Sequence, residues 1–255
     1  MKKSLMTLAA VLMLGTAAAA EPIKIGIAAE PYPPFASPDA AGNWVGWEVD
    51  LINAVCKAGE MECVITPVAW EGIIPSLTGG QIDAIMASMS ITEERSKTID
   101  FSDKYYNTPA MVVTAKGAGL TPDAAGLTGK IVGVQVSTTH EAYTQKYFAP
   151  VAAEVKTYQT QDEANQDLAA GRIDAIMADS IALADFLKSE TGVACCESAG
   201  NVADDSQILG LGVGFGLRKG DPLLPTLNAA IAAIRADGTY DTISKPYFNF
   251  DIYGK

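Results

Sequence analysis

Two nine-residue segments decide the fold of this chain: residues 80–88 read GQIDAIMAS, and residues 171–179 read GRIDAIMAD. In each copy a turn glycine precedes a short apolar run, which is too short for a free-standing helix and is typical of a buried strand in a parallel sheet. Two such strands predict two similar α/β units rather than one continuous sheet. The copies end differently, in Ser88 and in Asp179, and open α/β sheets bind ligands at the carboxyl ends of their strands. We therefore expect a ligand at this position of each copy.

Outside the repeat, predicted strands and helices alternate along the chain, which indicates the α/β class. Predicted strands cover 23–28, 63–67, 110–114, 131–136 and 155–158, and predicted helices begin near residues 48, 73, 138, 163, 181 and 223. Residues 208–217 alternate glycine with apolar residues and predict one tightly packed or crossing strand. Ser90 and Thr92 are alternative caps for a helix that follows the first copy, and either cap puts Arg95 in the first turns of that helix.

The first twenty residues have the features of a signal peptide. Lys2 and Lys3 form a basic start, residues 5–15 are apolar, and three alanines at 18–20 form a small-residue cleavage site. The apolar run is too short to span a bilayer, and no cysteine follows it to carry a lipid anchor. We expect cleavage after about Ala20 and export of a chain that is long enough for two lobes.

The exported chain is strongly acidic. The whole sequence has a net charge of −12, and removal of Lys2 and Lys3 makes the charge −14. Nucleic-acid phosphates and anionic lipids repel such a chain, so we expect no nucleic-acid partner and no peripheral membrane role. His140 is the only histidine and no Cys-x-x-Cys motif occurs, so no metal site is predicted.

The four cysteines form two local pairs. Cys56 and Cys63 lie seven residues apart, across the end of a predicted helix and into a predicted strand, which is compatible with a disulfide in an exported protein. Two buried free thiols are the alternative. Cys195 and Cys196 are adjacent, and a vicinal disulfide, free thiols or a lost partner all remain open.

A family resemblance rests on four segments: VGWEVDL at 45–51, DAIMASMSITEER at 83–95, GRIDA at 171–175 and RADGTY at 235–240. With them the chain resembles the periplasmic amino-acid-binding proteins of ABC importers (solute-binding protein family 3), in the branch for lysine, arginine, ornithine, histidine and opines. The resemblance covers essentially the whole exported chain. It implies the α/β type II periplasmic-binding-protein fold, in which two lobes are joined by two crossing strands and clamp the ligand between them, and it implies a periplasmic location.

The resemblance also implies where the lobes divide. The first lobe would comprise residues 21–111 and 208–255, and the second lobe residues 112–207. The crossings would lie near 110–114 and 205–212, so that the first lobe is built from both chain ends. The small disulfide of this branch would join Cys56 to Cys63.

The resemblance implies a partner for each charged group of an α-amino acid, since each group needs one in a desolvated cleft. Arg95 would bind the carboxylate with its planar fork near a helix N-terminus; the alternative is a solvated helix arginine. Asp179 would bind the α-ammonium; the alternative is a cap for the helix that follows, and both roles can coexist. Further hydroxyl and backbone bonds would come from Ser88, Ser90, Thr138 and Thr139.

The side chain of the ligand would lie between Tyr32 and Trp70, because flat aromatic faces suit an aliphatic stem and attract a cation. Core packing is the alternative for Trp70. Glu30 would meet a cationic side chain, and Gln135 would add polar contacts. The predicted ligand is therefore a cationic or polar amino acid, with arginine, ornithine or lysine favoured.

The expected function is capture of such an amino acid by a monomer and delivery to an inner-membrane ABC permease, without a cofactor. One alternative is an enzyme of the dehydratase type on the same fold, with Glu30 as a general acid. No nucleophile–base pair, metal cluster or serine-elbow motif supports catalysis, so no catalytic residue is predicted. The other alternative is a ligand sensor for a receptor, which the same clamp would serve.

Overall fold

Two five-stranded sheets, each flanked by helices, make up residues 21–254, the part of the chain that this computed structural model describes. The predicted signal peptide, residues 1–20, lies outside the described residues. The strands are β1 (Ile23–Ala28), β2 (Ser37–Pro38), β3 (Trp44–Val45), β4 (Cys63–Val68), β5 (Ala84–Ile85), β6 (Ile99–Tyr106), β7 (Ala110–Ala115), β8 (Ile131–Gln135), β9 (Glu154–Tyr158), β10 (Ala175–Asp179), β11 (Cys196–Asn201) and β12 (Val213–Arg218).

The helices surround these sheets. They are α1 (Trp47–Ala58), α2 (Ile73–Thr78), α3 (Glu93–Ser96), α4 (Thr139–Tyr147), α5 (Gln161–Ala169), α6 (Ser180–Phe186), α7 (Glu190–Cys195), α8 (Ser206–Leu209), α9 (Leu224–Ala236) and α10 (Thr239–Ser244), with a short 3₁₀ turn at Trp70–Gly72.

The two sheets have the same arrangement of strands. Their orders are β4-β1-β5-β12-β6 and β9-β8-β10-β7-β11. In each sheet the first three strands are parallel, the fourth runs antiparallel to them, and the fifth runs antiparallel to the fourth. The two similar α/β units predicted from the repeat are confirmed.

The chain passes between the two lobes twice. It leaves the first sheet at the end of β6 and enters the second at the start of β7 through residues 107–109. It returns from β11 to β12 through residues 202–212. Each crossing delivers a strand that pairs with the repeat strand of its new lobe, which agrees with the predicted architecture. The division at 21–111, 112–207 and 208–255 stays a prediction.

The strand predicted at residues 208–217 begins later in the structure than expected. Residues 208–217 were expected to form a single strand, but the chain first forms α8 and enters β12 only afterwards. The side chain of Asp205 caps α8 and stabilises this single turn. Gly210 then ends it with a φ of 91°, and a side chain at this position would meet the Ile91 carbonyl oxygen at 2.6 Å. Gly210 therefore serves a close backbone turn, whereas Gly214 and Gly216 lie in the closely packed strand β12, where the prediction holds.

Each repeat packs an isoleucine against a glycine of the neighbouring strand. Ile82 is buried against Gly26 of β1, where an added Cβ would meet the Ile82 Cδ1 atom at 2.3 Å. Ile173 lies in the same way against Gly133 of β8, with 2.7 Å between an added Cβ and the Ile173 Cδ1 atom. Glycine therefore leaves the room that each isoleucine fills.

The aspartate of each repeat is bound to the amino end of the same neighbouring strand. The Asp83 carboxylate accepts a hydrogen bond from the backbone N–H of Lys24 (3.0 Å), and the Asp174 carboxylate accepts one from Ile131 (2.8 Å). The backbone N–H of each aspartate donates in return to the carbonyl of the same partner, at 2.8 and 2.9 Å. These paired bonds set the register of β5 against β1 and of β10 against β8.

Both cysteine pairs are disulfides. Cys56–Cys63 joins α1 to β4, as predicted. Cys195 and Cys196 form a vicinal disulfide at the junction of α7 and β11, so of the three alternatives for this pair the structure contains the first. Within residues 21–254, no helix combines the length and the apolar character that a membrane crossing requires.

We expect Gly133→Ala to lower the free energy of unfolding by about 1–3 kcal/mol, because overpacking a filled core forces its neighbours to move. The new methyl group would meet Ile173 at 2.7 Å and the Tyr158 ring at 2.9 Å. Urea unfolding measures the loss, and combining Gly133→Ala with Ile173→Ala should cost less than the sum of the single changes.

Gly72→Ala is the matched control. A Cβ at Gly72 meets nothing within 4 Å, so its substitution should change stability by no more than about 0.5 kcal/mol. Equal losses from the two glycine substitutions would contradict the packing argument.

Candidate functional site

Two adjoining cavities lie between the lobes, at the carboxyl ends of β1, β5, β8 and β10. Both are lined by Tyr32, Ser88, Ser90, Thr139 and His140. We call one the aromatic cavity; it is also lined by Glu30, Glu48, Trp70, Arg95, Gln135 and Thr138. The other, the acidic cavity, is also lined by Tyr106, Thr108 and Asp179. The fold thus brings all ten residues predicted to contact a ligand into one connected cleft.

Arg95 is the basic side chain of the aromatic cavity. Thr92, rather than Ser90, caps α3 by accepting the backbone N–H of Arg95 (3.2 Å). The guanidinium donates to the carbonyl oxygens of Ser90 (3.0 Å) and Ser137 (3.3 Å) and lies 5.4 Å from the centre of the Trp70 ring. It forms no ion pair within residues 21–254, and burial lowers the pKa of Arg95 to about 10. Arg95 is a desolvated cation in the cleft and not a solvated helix arginine.

Asp179 is the matching anion on the opposite lobe. One carboxylate oxygen accepts the backbone N–H of Ile181 (2.7 Å) and caps α6, and the other accepts the Thr108 hydroxyl. The residue is 9% exposed, and it too has no ion-pair partner in the described part of the chain. Burial raises the pKa of Asp179 to about 6. Asp179 therefore caps α6, and this role leaves its negative charge without a counter-charge from the described residues at the cavity wall.

The sequence predicted hydroxyl and backbone contacts from Ser88 to a ligand, but the backbone N–H of Ser88 is already bound within the protein. Its φ is 51°, so the chain turns out of the sheet there, and its backbone N–H donates to the Glu48 carboxylate (2.8 Å). This backbone donor is therefore not free for a ligand. The hydroxyl oxygen is buried and has no hydrogen-bond partner among residues 21–254. A polar atom of this kind needs a partner from outside the protein or pays a desolvation cost.

The second lobe contributes the first turn of α4. The Thr138 hydroxyl caps this helix by accepting the Glu141 N–H (3.1 Å), and it donates to the Gln135 carbonyl (2.7 Å). Gln135 uses its side-chain amide within its own lobe, where it donates to the Gln159 carbonyl (3.1 Å). Thr139 is buried and lines both cavities. Of the two threonines, only Thr138 makes a side-chain hydrogen bond within residues 21–254, so the Thr139 hydroxyl is the one available to a ligand.

The aromatic cavity takes its shape from Tyr32 and Trp70. Tyr32 stacks on Phe35 with 5.8 Å between ring centres. The backbone N–H of Trp70 donates to both carboxylate oxygens of Glu30, at 3.0 and 3.2 Å, which ties Glu30 to the start of the 3₁₀ turn. Glu30, Tyr32 and Trp70 therefore form one wall, with the carboxylate beside the aromatic faces.

Two hydrogen bonds cross the cleft directly. The Trp70 indole N–H donates to the Val136 carbonyl (3.1 Å), and Arg95 donates to the Ser137 carbonyl (3.3 Å). Ser137 has a φ of 60°, and its own N–H donates to Glu141 (2.6 Å). This left-handed turn presents two successive carbonyl oxygens of the second lobe to the first.

Several residues that line the cavities were not predicted as site residues, among them Glu48, Thr108 and His140. Burial raises the pKa of Glu48 to about 7, and burial together with nearby Arg95 lowers the pKa of His140 to about 4. His140 directly follows Thr139, and that adjacency was the available signal for it. Nothing local to Glu48 or Thr108 in the sequence marks them, because both reach the site through contacts about forty and seventy residues distant in the chain.

The chemistry of the cleft is that of a clamp for a dipolar molecule. It holds a half-buried cation, Arg95, on one lobe and a buried anion, Asp179, on the other, and within residues 21–254 neither has a counter-charge and the Ser88 hydroxyl has no hydrogen-bond partner. No group of three or more metal-ligating side chains occurs in residues 21–254.

Comparisons with known proteins identify the family. The family described as bacterial extracellular solute-binding proteins, family 3, matches residues 23–250. The chain is 44% identical over 246 residues to an L-arginine-binding protein of Pseudomonas aeruginosa, covering 96% of this chain and 94% of the relative. It is 42% identical over 260 residues to a histidine-binding periplasmic protein of Salmonella typhimurium, over the full length of both.

A solved structure is similar as well. An ancestral arginine-binding protein bound to arginine superimposes with a TM-score of 0.80 at 33% identity, covering 90% of this chain and 99% of that one. The family match spans nearly the whole described chain, and the two-lobed fold is the same. The chain therefore belongs to the bacterial extracellular solute-binding proteins, family 3.

Proposed function

We propose that the chain captures an α-amino acid between its lobes, with the carboxylate at Arg95 and the α-ammonium at Asp179. The observation that carries the proposal is the pair of opposite, desolvated charges, half-buried Arg95 on one lobe and buried Asp179 on the other, without an ion-pair partner among the described residues. A zwitterion supplies both missing counter-charges at once. Ser88 and Thr139 add hydroxyl contacts from the two sides.

The ligand in this proposal has a cationic side chain, of the arginine, ornithine or lysine type. Glu30 lies beside Tyr32 and Trp70 at the wall of the aromatic cavity, and the aromatic faces favour an extended stem that ends in a cation. The relatives named above bind arginine or histidine, which supports a basic amino acid. Ser90, Gln135 and Thr138 complete the proposed contacts.

In this proposal the closed protein, a monomer in the periplasm, delivers the amino acid to an ABC permease of the inner membrane. The ligand stabilises closure because it bridges charges that belong to different lobes. The ligand is held and released unchanged, so mass spectrometry of the bound molecule should recover the intact amino acid.

The first prediction separates the two roles of Asp179. Asparagine is as good a helix cap as aspartate but carries no charge. We expect Asp179→Asn to weaken L-arginine binding by about a hundredfold or more, as loss of one partner of a buried charge pair does, while the ligand-free protein loses no thermal stability. Isothermal titration calorimetry and thermal unfolding measure the two effects.

Arg95→Ala should weaken L-arginine binding by a similar factor, because it removes the partner of the ligand carboxylate. If Asp179→Asn binds L-arginine as tightly as the unsubstituted protein does, Asp179 is a helix cap only.

The second prediction concerns pH. Burial raises the pKa of Asp179 to about 6 and of Glu48 to about 7, so these two carboxyl groups hold more protons in the folded state than in the unfolded state between about pH 4 and 7. The ligand-free protein should therefore become more stable as the pH falls from 7.5 to 5. Binding needs an ionised Asp179, so L-arginine affinity should fall over the same range, by up to about tenfold per pH unit below pH 6.

Thermal unfolding of the ligand-free protein and calorimetry of L-arginine binding, both at matched ionic strength, test these opposite pH trends in stability and affinity. His140 opposes the stability trend, because its pKa of about 4 in the folded state lies below its ordinary value and it gains a proton on unfolding in this range; the two carboxyl groups outweigh this one imidazole. Asp179→Asn should flatten the pH dependence of the residual affinity, and an affinity that rises as the pH falls would refute the assignment of Asp179.

The third prediction tests the hydrogen bonds that cross the cleft. Trp70→Phe keeps an aromatic face but removes the indole N–H that donates to the Val136 carbonyl. We expect L-arginine to dissociate about three- to tenfold faster, in line with the loss of one hydrogen bond. Stopped-flow fluorescence or ligand displacement measures the rate.

Trp47→Phe is the matched control. The Trp47 indole donates to Ser244 (3.0 Å) inside the first lobe, so this substitution should lower stability and leave the dissociation rate unchanged. Equal effects of the two substitutions on dissociation would show that the Trp70 bond does not hold the lobes together.

A further inference from the structure

We propose that Glu48 is a positioning residue: it holds Ser88 so that the Ser88 hydroxyl faces the cleft as an acceptor for the α-ammonium of the ligand. The inference rests on the proposed function for the identity of the ligand group. The contact between Glu48 and Ser88 is in the protein itself and can be tested without a ligand.

Glu48 is an acid in an unusual place. It belongs to the first turn of α1, is 1% exposed and lines the aromatic cavity. Its Oε1 atom accepts the backbone N–H of Ser88 (2.8 Å) and the hydroxyl of Tyr105 (2.5 Å). It has no ion-pair partner among residues 21–254. Burying a carboxylate costs free energy, and Glu48 offsets part of this cost with the hydrogen bonds that it accepts from Ser88 and Tyr105 at the base of the cleft.

Ser88 needs such support. Its φ of 51° lies in the left-handed region, which is unfavourable for residues other than glycine. The Glu48 carboxylate binds the N–H of this turn and so fixes the direction in which the side chain leaves the backbone. The Ser88 hydroxyl is then buried, lines both cavities and has no hydrogen-bond partner in the described chain.

The surroundings favour an ammonium as the missing partner. Ser88 lines the acidic cavity together with Asp179, and its backbone N–H is bound by Glu48, which lines the aromatic cavity. Arg95 lines the aromatic cavity and not the acidic one. A hydroxyl oxygen that shares the acidic cavity with the Asp179 carboxylate is suited to accept a hydrogen bond from a cation rather than to donate one to the ligand carboxylate.

The experiment compares L-arginine with 5-guanidinopentanoate, which has hydrogen in place of the α-ammonium. Calorimetry gives the ratio of the two affinities for each variant. Ser88→Ala should reduce this ratio by about tenfold. Glu48→Met, which fills the same space without an acceptor, should reduce it by a similar factor, with Glu48→Ala in its place if that variant does not fold.

Glu48→Gln should retain the ratio, because its amide oxygen accepts the same N–H. Combining Glu48→Met with Ser88→Ala should lower the ratio no further than either change alone, because both act on one hydroxyl. Asp83→Ala is the matched control: the Asp83 carboxylate also binds a backbone N–H in the first lobe, that of Lys24, but away from the cleft. It should lower stability and keep the ratio.

Hydrogen exchange of the Ser88 amide in the ligand-free protein is the second readout. Glu48→Met should speed it by tenfold or more, and Glu48→Gln should not. Unchanged exchange in Glu48→Met, or equal weakening of both ligands, would overturn the inference. If the unsubstituted protein binds neither compound, the proposed ligand is wrong, and the exchange result still decides whether Glu48 positions Ser88.

Discussion

Contact between an isoleucine and a glycine in the adjacent strand is the constraint on which both lobes depend. Ile82 fills the space above Gly26, and Ile173 fills the space above Gly133. Neither strand can slip past its neighbour without driving this side chain into a residue that has a Cβ, so the register is fixed. Six residues beyond the isoleucine, each copy reaches the cleft, at Ser88 in one lobe and at Asp179 in the other. The core contact thus decides where the ligand-facing residues lie.

The cleft works against the stability of its own ligand-free state. Within residues 21–254 the desolvated Arg95 has carbonyl oxygens and the face of Trp70 as partners, and buried Asp179 has neutral donors. Such contacts compensate a charge less well than an opposite charge does. The bonds from Trp70 and Arg95 to residues 136–137 hold the lobes together, but they use neutral acceptors. A zwitterion that replaces them with charged partners therefore gains most when the lobes are closed, which couples binding to closure.

The sequence contained the local parts of this arrangement. Strand β1 has the bounds that its apolar pattern predicted, and the caps at Thr92 and Asp179 follow from residue type and position. The missing parts are long-range. Strands β6 and β11 were not predicted, because edge strands with mixed polar residues have no apolar run. The role of Glu48 was not predicted either, since an acid in the first turn of a helix already has a local explanation in the helix dipole.

The two copies of the repeat differ at their last residue, and this difference determines the orientation in which a zwitterion fits the cleft. In the first copy the chain turns out of the sheet at Ser88, whose backbone N–H donates to Glu48. The chain then continues to Arg95. In the second copy the strand continues to Asp179, which starts α6 and keeps a charge at the wall. A zwitterion placed the other way round would bring its carboxylate to Asp179 and Glu48 and its ammonium to Arg95. Like charges in a desolvated cleft oppose that orientation, so the two copies together admit the proposed ligand in one orientation.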